Sequence, residues 1–521
     1  MKKNLILPSA LLLTIALASQ ANAESIPQKS LSEVKTITST QDIKPALKMS
    51  PINKNVKANL DQYKIVETKK DKKGFKHYTL VPHVNGVKAL NSEIKVHTDA
   101  KGNVTFINGE LNQKKLVPTN TVTLSKVDAV TKAFTVTDFK QSEVKNFKNK
   151  DVVKFNNLVI DPILNKYIYN IRIIYVSPRI ETWDVKVDAQ TGEILYKRNL
   201  AESENFAPSD SAIGNDGTPA AGRGVSTKGM YRPLKIFKSN VDNRFWLSDQ
   251  TNPTLMETYD LFSTDVQRWQ VMSSDSTIFR SENLKPAVDA HYYANQTYKY
   301  YKDVHGRESY DGNGAPLYSM VHYKYKENNA FWTGEAMVYG DGDGREFGPL
   351  SQANDIVAHE LTHAITFNTA GLEYAYEPGA LNESFSDVMA YFLDPDWLMG
   401  EDAYTPNTPG DALRSFDNPE KYGQPSHYSK RFIWPNTEDG DFGAVHWNSG
   451  IPNKAFYNVI AVEGLSADKA QHIYYKTLVE YLTPYSQFKD CKAALMRAAR
   501  DLYGTTEEQQ IKRAWDAVGV Y

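Results

Sequence analysis

The sequence predicts an α+β protein, in which two small α+β modules precede a larger part with a β-rich lobe and then a mainly α-helical lobe. Three observations lead to this prediction. Short alternating strands separated by turn residues recur before about residue 200, strands with Gly- and Asp-rich turns dominate residues 225–285, and helical periodicity dominates from about residue 350 onward. With 521 residues, the chain is long enough for several domains.

The N-terminal segment has the parts of a secretory signal peptide. Lys2 and Lys3 supply positive charge, residues 5–18 form an apolar run, and residues 21–23 (Ala-Asn-Ala) are a small-residue cleavage site. Because the apolar run is short for a membrane span, an uncleaved anchor is the less favoured alternative. We expect residues 1–23 to be removed and the protein to be secreted, without membrane association after export.

Two small modules follow this segment. The first is predicted from alternating strands at residues 77–82 and 93–98. The second combines a helix at residues 124–136 with strands at residues 167–177 and 182–197. Both therefore mix strands with little helix.

The remaining segments connect or complete these units. Residues 24–54 are polar and lack periodicity, so we expect them to be loosely ordered, whereas residues 199–224 have the composition of a linker and of a processing region. In the larger part, helices are predicted at residues 286–302 and from near residue 352, with a long loop at residues 395–450. A ligand is expected in the cleft between the two lobes.

Charge is distributed unevenly along the chain. Residues 24–204 carry 30 Lys and Arg against 20 Asp and Glu, whereas residues 205–521 carry 28 against 42. The basic part complements the acidic part, which predicts that they bind each other; two unrelated modules are the alternative. No run of basic residues alternates with aromatic residues, so nucleic-acid binding is not predicted. Cys491 is the only cysteine, and bound cations are therefore expected to replace disulfides.

Residues 359–363 read His-Glu-Leu-Thr-His, a spacing that suits a catalytic zinc ion. On a helix, His359 and His363 lie on one face, and Glu360 beside them can activate a water molecule without binding the metal. A catalytic zinc ion has three protein ligands and one open position, so a third ligand is required. Glu383, twenty residues after His363, is the candidate.

These motifs resemble those of the thermolysin family of secreted zinc metalloproteases. The amino-acid sequence at residues 380–387 and 488–492 is most similar to the staphylococcal aureolysin-type members of that family. The resemblance covers residues 220–521, and the two upstream modules resemble the propeptide of the same family. It implies a thermolysin-like catalytic domain, one catalytic Zn²⁺ and two or more structural Ca²⁺. The implied division is signal peptide 1–23, propeptide 24–210, β-rich lobe 211–358 and helical lobe 359–521.

The resemblance also implies catalytic roles. Glu360 would be the general base, and His446 and Tyr374 would stabilise the negative charge that develops on the attacked carbonyl oxygen. Asp441 would orient His446 and favour its protonated form. Asp387 would accept the second ring N–H of His359.

Substrate-binding residues follow from the same resemblance. Asn329 and the backbone of Ala330 would pair with an extended peptide, and Arg414 would hold the carbonyl that follows the scissile bond. The pocket for the residue after the cut would be apolar, which predicts cleavage before large apolar residues. Its lining residues are Phe347, Leu350, Ile356, Met399, Ala403 and Leu413.

Calcium sites are expected around the loop that follows the metal-binding helices. The first would use Asp355, Asp394, Asp396 and Glu401, with Leu398 at a position where thermolysin itself has a carboxylate. We therefore expect one ion there, bound in part by the Leu398 carbonyl, rather than a pair. A second site would use Tyr404, Thr405, Thr408 and Asp411. A further family site near residues 273–275 has lost most of its carboxylates and is expected to be absent.

The leading hypothesis is an exported zinc endopeptidase made as an inactive precursor, a monomer whose partners are its own propeptide and protein or peptide substrates. A zinc aminopeptidase is one alternative, but it needs an acidic group to bind a free amine, and no residue marks one. A catalytically inactive, calcium-stabilised homologue is the other. It predicts the loss of Glu360, His446 or Tyr374, and all three are present.

Overall fold

The computed structural model describes residues 24–31, 34–178, 181–199, 210–211, 216–263 and 269–521. The predicted signal peptide lies outside the described residues, as does most of the predicted processing region. Among the helices that are described, none combines the length and the apolar character needed to cross a membrane.

The first module is an antiparallel sheet covered by two short helices. The first and last strands of the module pair at one edge of this sheet, and a short hairpin turns at Asn85-Gly86. Leu47 and Val56 of the helices pack with Leu80 of the sheet in one core. The elements are β1 (Glu24–Ile26), α1 (Ile43–Met49), α2 (Lys54–Ala58), β2 (Tyr63–Lys70), β3 (Lys76–Val84), β4 (Val87–Lys88), β5 (Ile94–Thr98) and β6 (Val104–Gly109), and the sheet order is β1-β6-β5-β3-β2 with β4 beside β3.

The expectation that residues 24–54 are loosely ordered is wrong. Strand β1 pairs with β6, and Ile43, Ala46 and Leu47 of α1 are buried against the sheet. These three positions follow the i, i+3, i+4 spacing of a helix face, but the helix is so short that the polar residues around it hide the pattern. Tertiary packing, rather than local propensity, orders this segment.

The second module contains the predicted helix and the predicted strands, and one further strand at residues 153–161 that was not predicted; the four strands form one antiparallel sheet. The additional strand contains Asn156 and Asn157 at its centre, which interrupt the apolar alternation. Ser125 caps the helix by accepting a hydrogen bond from the Asp128 backbone. The elements are α3 (Lys126–Ala133), β7 (Val153–Asp161), β8 (Lys166–Tyr175), β9 (Glu181–Asp188) and β10 (Ile194–Asn199), in the sheet order β10-β9-β8-β7.

The β-rich lobe contains two sheets and one long helix. Residues 217–225 form a strand of this lobe, so the linker that was predicted at residues 199–224 is shorter than expected. The described elements are β11 (Asp210–Ser211), β12 (Gly217–Val225), β13 (Tyr231–Ser239), β14 (Phe245–Trp246), β15 (Ser248–Asp249), β16 (Met256–Asp260), β17 (Trp269–Val271), β18 (Ser273–Ser274), β19 (Ile278–Phe279), α4 (Lys285–His305), β20 (Leu317–Val321), β21 (Ala330–Trp332) and β22 (Met337–Tyr339). The sheet orders are β18-β14-β13-β12-β19 and β11-β17-β16-β20-β22-β21, and β21 is therefore an edge strand.

The second lobe is mainly helical, as predicted, and its first helix lies between the two lobes. Val357 and Leu361 of this helix pack in the core of the β-rich lobe, whereas Ala358 and Ile365 pack in the core of the helical lobe. The elements are α5 (Asn354–Phe367), α6 (Tyr376–Tyr391), β23 (Leu398–Met399), β24 (Arg414–Ser415), α7 (Asp441–Asn448), α8 (Gly450–Tyr457), α9 (Ala467–Lys476), α10 (Phe488–Leu502) and α11 (Thr505–Asp516).

Both upstream modules contact the lobes through buried aromatic residues. Phe147 of the second module packs edge-on against Tyr259 and Tyr318 of the β-rich lobe. Phe106 of the first module is 1% exposed and lies in the core of the helical lobe, beside Tyr481. The first module therefore packs on the helical lobe through Phe106, and the second packs on the β-rich lobe through Phe147.

Candidate zinc centre and active site

Helices α5 and α6 bring the three predicted zinc ligands together. His359 and His363 are one turn apart on α5, and their Nε2 atoms are 2.9 Å apart. Glu383 on α6 places Oε2 3.4 Å from His359 Nε2 and Oε1 3.4 Å from His363 Nε2. The geometry thus agrees with the predicted ligand set.

A glycine allows α6 to approach its neighbours at this point. A Cβ atom at Gly379 would lie 2.4 Å from Cγ1 of Val445 and 3.1 Å from the carbonyl carbon of Tyr374. Any larger residue would push α6 away from the segments that carry Tyr374 and His446. Gly379 therefore sets the spacing between Glu383 and those two side chains.

The three ligands present acceptor atoms to one another, which fits a bound cation. His359 Nδ1 donates to Asp387 Oδ1 at 2.8 Å, and His363 Nδ1 donates to Asn382 Oδ1 at 2.9 Å. When the rings are neutral, as metal binding requires, these hydrogen bonds place each proton on Nδ1 and leave a lone pair on each Nε2. Both Nε2 atoms face the Glu383 carboxylate, whose buried Oε2 has no hydrogen-bond partner among the described residues. Two imidazole nitrogens and a carboxylate are a zinc ligand set, so these residues fit zinc.

Asp387 holds His359 in place and is itself held by two further side chains. Arg414 donates to it through Nε at 3.0 Å and Nη2 at 2.7 Å, and Asn453 donates through Nδ2 at 2.8 Å. Burial acts to raise the pKa of Asp387, but Arg414 and His359 lower it to about 2. The ionised carboxylate fixes the His359 tautomer and raises the basicity of its Nε2.

Glu360 is buried beside His359 on α5, with 7% of its surface exposed. Burial raises the pKa of Glu360 to about 7; His359 opposes this rise and Glu383 adds to it. A carboxyl group that titrates near neutral pH can both accept and return a proton.

Tyr374, His446 and Asp441 converge on the same ligand cluster. Tyr374 Oη donates to Glu383 Oε1 at 2.5 Å and lies 3.0 Å from His446 Nε2. Asp441 accepts from His446 twice, at 2.6 Å from ring Nδ1 and at 2.9 Å from the backbone nitrogen. The three predicted residues therefore form one hydrogen-bonded group next to Glu383.

The segment that carries Asp441 has an unusual backbone and contacts the second module. Asp441, Phe442 and Ala444 have φ angles of 46°, 49° and 65°, the left-handed region that non-glycine residues seldom adopt. Arg198 of β10 lies 3.8 Å from the centre of the Phe442 ring and donates to the Tyr374 carbonyl at 2.8 Å. One side chain of the second module thus contacts both segments that carry His446 and Tyr374.

The predicted substrate-binding residues lie at an edge strand, beside Asp387 and in an apolar cluster. Asn329 and Ala330 lie at the start of the edge strand β21, where an added strand can pair. Arg414 lies beside the zinc ligands through its bond to Asp387. The predicted pocket residues are close in space: the Leu413 backbone donates to Met399 at 2.9 Å, and the β-rich lobe's core gathers Phe347, Leu350, Ile356 and Ala403, with Leu413 at its margin.

Acidic side chains gather where the first calcium site was predicted. Carboxylate oxygens of Asp394, Glu401 and Asp402 lie within 4.8 Å of one another. Asp402 was not predicted, although its position next to Glu401 was a signal for it. Asp355 is 2% exposed, and burial together with Asp394 raises its pKa to about 7.

Two predicted members of this site also bond to the backbone. Asp355 Oδ2 accepts from Gly400 at 2.5 Å, and Asp396 Oδ1 accepts from Leu398 at 2.8 Å. The residues of the second predicted calcium site share one turn, in which Thr405 Oγ1 donates to Asp411 Oδ2 at 2.9 Å. The backbone of that turn is closed by hydrogen bonds among Thr405, Thr408 and Asp411, and Tyr404 precedes it.

Two further residues at the active site were missed by sequence reasoning. Asn453 lies 66 positions from its partner Asp387, and no local pattern marks it. Arg198 lies 176 positions from Tyr374, so its contact with the active site is a property of the folded chain alone.

Family profiles match almost all of the described chain. The profile of the thermolysin metallopeptidase catalytic domain matches residues 221–367, and that of the thermolysin metallopeptidase alpha-helical domain matches residues 370–520. The fungalysin/thermolysin propeptide motif matches residues 61–111, and the peptidase propeptide and YPEB domain matches residues 123–198. These matches agree with the two modules and the two lobes.

Several similar proteins are peptidases by name. An extracellular elastase of Staphylococcus epidermidis is 44% identical over 93% of this chain and 92% of its own length. A zinc metalloproteinase of Listeria monocytogenes is 41% identical over 95% and 96%, and bacillolysin of Bacillus subtilis is 43% identical over 88% and 85%. Among solved structures, the precursor of protealysin from Serratia proteamaculans covers 51% of this chain and 88% of its own, with 33% identity and a TM-score of 0.46.

The alternatives of an aminopeptidase and of an inactive homologue find no support in these comparisons, whereas the predicted fold and the predicted activity are confirmed. The profiles cover both lobes and both upstream modules, and the identity to the elastase spans most of both chains. The chain therefore belongs to the thermolysin family of metallopeptidases and is a zinc-dependent endopeptidase made with an N-terminal propeptide.

Proposed function

We propose that Glu360, Tyr374 and His446 catalyse peptide-bond hydrolysis at a zinc ion held by His359, His363 and Glu383. One observation carries this assignment. Two hydrogen-bond donors of the protein, Tyr374 Oη and His446 Nε2, lie 2.5 and 3.5 Å from the same Glu383 oxygen. They are placed to meet a substrate oxygen that binds beside the third ligand.

The chain's own residues supply the proton transfers and the charge stabilisation. Zinc, when bound, acts as a Lewis acid on the peptide carbonyl and lowers the pKa of water. Glu360 accepts the proton of the attacking water as the new C–O bond forms, and it returns that proton to the leaving nitrogen as the C–N bond breaks. Tyr374 and protonated His446 donate hydrogen bonds to the carbonyl oxygen, and Asp441 holds the proton on His446 Nδ1.

The substrate is an extended peptide with a large apolar residue after the cut. The open edge of β21 supports binding of the peptide as an added strand. The apolar side chains around Phe347 and Leu413 support the preference for a large apolar residue after the cut. Profiling of a peptide library is expected to show cleavage before Leu, Phe, Ile or Val. A preference for a charged residue at that position would contradict this part of the proposal.

Calcium stabilises the loop between α6 and α7 in this proposal. The first site is formed around Asp355, Asp394 and Glu401, to which we now add Asp402, and the second is formed by Thr405, Asp411 and their turn. These clusters are supported by the gathered carboxylates, which are hard oxygen ligands. A chelator that removes calcium but spares zinc is expected to lower the unfolding temperature and expose this loop to proteolysis.

The proposed organisation is a signal peptide at residues 1–23, a propeptide at residues 24–210 and a catalytic part at residues 211–358 and 359–521. In this proposal the protein is secreted and acts as a monomer; secretion is supported by the signal-peptide features and by the name of the extracellular elastase of Staphylococcus epidermidis. Mass spectrometry of the secreted protein would locate both cleavage points.

The decisive experiment replaces Glu360 with Ala in the full chain. We expect Glu360→Ala to retain zinc, to remain unprocessed and to cleave casein about 10²–10⁴-fold more slowly. Glu282→Ala, which removes an acidic side chain that is 87% exposed, is the matched control and should behave as the unmodified chain. If Glu360→Ala matured and cleaved casein normally, the mechanism would be wrong.

A further inference from the structure

A second cluster of histidines and carboxylates lies between the first propeptide module and the helical lobe. His77 of β3 is 6% exposed, and its Nδ1 lies 2.7 Å from Nδ1 of His97 on β5. The Nε2 atom of His77 lies 3.1 Å from Glu480 Oε2 and 3.8 Å from Asp71 Oδ2. Lys476 contacts both carboxylates, at 2.8 Å from Asp71 Oδ2.

The hydrogen bonds around His97 fix where the protons are. Asn108 donates its amide N–H to the Tyr481 carbonyl at 2.6 Å, so its Oδ1 must accept from His97 Nε2 at 2.9 Å. Burial, with His77 adding to it, lowers the pKa of His97 well below its usual range, so this ring is neutral. A neutral His97 that carries its proton on Nε2 has an unprotonated Nδ1, and His77 Nδ1 must be the donor.

This leaves two states for His77, and the surrounding charges favour one. If His77 is neutral, its Nε2 lone pair faces two carboxylates inside the interface. If it is protonated, the charges of His77 and Lys476 balance those of Asp71 and Glu480. Burial acts to raise the pKa of Asp71, but His77 and Lys476 hold it below its usual range, so this carboxylate is ionised.

We propose that docking of the first propeptide module onto the helical lobe requires a protonated His77, so that this interface weakens as the pH rises; the inference rests on the propeptide assignment. If the docked state holds this proton more tightly than the undocked state, docking weakens as the pH rises, because fewer rings carry the proton at higher pH. The groups that face His77 from the surrounding elements are His97, Lys95, Asp71, Glu480, Lys476 and Tyr481, and beyond Tyr481 lies the Arg497–Asp501 pair.

A divalent metal ion is the competing interpretation of this cluster, because Asp71, His77 and Glu480 offer three ligand atoms within 4.8 Å. Lys476 argues against it. Its ammonium group already lies between the two carboxylates and supplies the positive charge that a metal would bring. The cluster therefore differs from a zinc site by one residue.

Hydrogen exchange of the intact precursor tests the proposal. The parent protein is the full chain with Glu360→Ala, which stays unprocessed, and exchange of peptides from β3, β5 and residues 476–482 is measured between pH 5.5 and 8.5. After correction for intrinsic exchange, we expect protection of these peptides to fall as the pH rises across this range, by at most about tenfold per pH unit for one linked proton.

Three substitutions in the parent sharpen the test. His77→Gln removes the proton and should flatten the pH dependence. Glu480→Gln replaces the carboxylate that faces Nε2, so it should flatten the dependence and keep protection high at pH 8. His83→Gln is the matched control, because His83 lies on the same strand and bonds to Val81 within its own module; it should behave as the parent.

The outcomes separate the alternatives. A flat profile for the parent, or an unchanged slope in both His77→Gln and Glu480→Gln, would overturn the proposal, as would a slope that disappears on adding EDTA. If His77→Gln does not fold, Glu480→Gln in the other lobe still decides. Failure of the peptidase assignment would appear separately, as maturation of the Glu360→Ala chain.

Discussion

The zinc centre and the interface cluster around His77 contain almost the same groups, yet we assign them different chemistry. Each has two histidines, at least partly buried, whose ring nitrogens lie 2.9 or 2.7 Å apart, and each has carboxylate oxygens within 3.4 Å of a ring nitrogen. In the zinc centre, the ligand atoms of His359, His363 and Glu383 can all offer lone pairs to a metal, while Tyr374 donates a hydrogen bond to Glu383. In the interface cluster, Lys476 lies among the acceptors.

The comparison shows that residue types do not define a metal site; their protons and counter-charges do. At the zinc centre, Asp387 and Asn382 draw the ring protons outward, so both Nε2 atoms face the Glu383 carboxylate. At the interface, Asn108 accepts the proton of His97 Nε2. In the proposed protonated state, His77 carries a proton on each of its two ring nitrogens. The same hydrogen-bond logic therefore selects a cation in one place and a proton in the other.

The largest effect is expected from Glu383→Gln in the zinc centre. The amide offers a weaker ligand and brings N–H donors into a cluster of acceptors. Loss of the metal removes several kcal/mol of transition-state stabilisation, so we expect activity to fall about a thousandfold or more, with zinc content near zero. Metal analysis and a casein assay measure this. Full zinc content in the variant would contradict the ligand assignment.

Next in size is Lys476→Met in the interface cluster, tested in the unprocessed Glu360→Ala chain. It removes the cation from Asp71 and Glu480, which are partly buried, with side chains 10% and 19% exposed. Loss of one partner of a buried pair costs about 3–5 kcal/mol, and we expect the lower end of this range because the carboxylates keep some contact with solvent. Lys469→Met on the same helix is the control, because Lys469 is 41% exposed, so that its ion pair with Glu507, which is 11% exposed, is open to solvent on the lysine side; a change of about 1 kcal/mol or less is expected there.

Chemical unfolding of the two lysine variants measures these changes. The Lys476→Met cluster should also gain affinity for Co²⁺, detected by its visible absorption in a chain whose zinc centre is already filled. Equal stability of Lys476→Met and Lys469→Met would show that Lys476 is not the counter-charge of the cluster.

Two tyrosines give the third contrast. Tyr374→Phe removes a donor aimed at the reacting oxygen and is expected to lower kcat about 10²–10³-fold. Tyr481→Phe removes a buried phenol that bonds to Asp501, so it should destabilise the protein by about 1–3 kcal/mol and leave kcat of the mature enzyme unchanged. A loss of kcat in Tyr481→Phe, or none in Tyr374→Phe, would undo the distinction between the two sites.

The residues of the proposed zinc centre could be named from the sequence because their signals are local. His359, Glu360 and His363 lie within one helical turn, and Glu383 follows at a spacing that a second helix can supply. The interface cluster was not predicted, because Asp71 and Lys476 are 405 positions apart. Only the uneven distribution of charge indicated that the two parts bind, and it could not identify the residues.

The elements of the fold also differ in whether their sequence signals are local. Strands β3 and β5 and helices α3, α4 and α5 were predicted from periodicity. Helix α1 and strand β7 were not, because their form depends on packing against other elements. The left-handed backbone at Phe442 and Ala444 also has no sequence signal, since neither residue favours it.

The smallest change in function is expected from substitutions of the side chains that orient the histidine rings, Asp387 for His359 and Asn108 for His97. Asp387 accepts from His359, from Arg414 twice and from Asn453, so an asparagine at this position would turn an N–H donor toward another donor. We expect Asp387→Asn to weaken zinc binding about 10–100-fold. Asn108→Ala, which removes the corresponding acceptor of the interface cluster, should leave zinc affinity unchanged and weaken propeptide docking. Competition with a chromogenic chelator measures zinc affinity in both variants, and an unchanged affinity in Asp387→Asn would mean that the outer hydrogen bonds do not control where the ring protons lie.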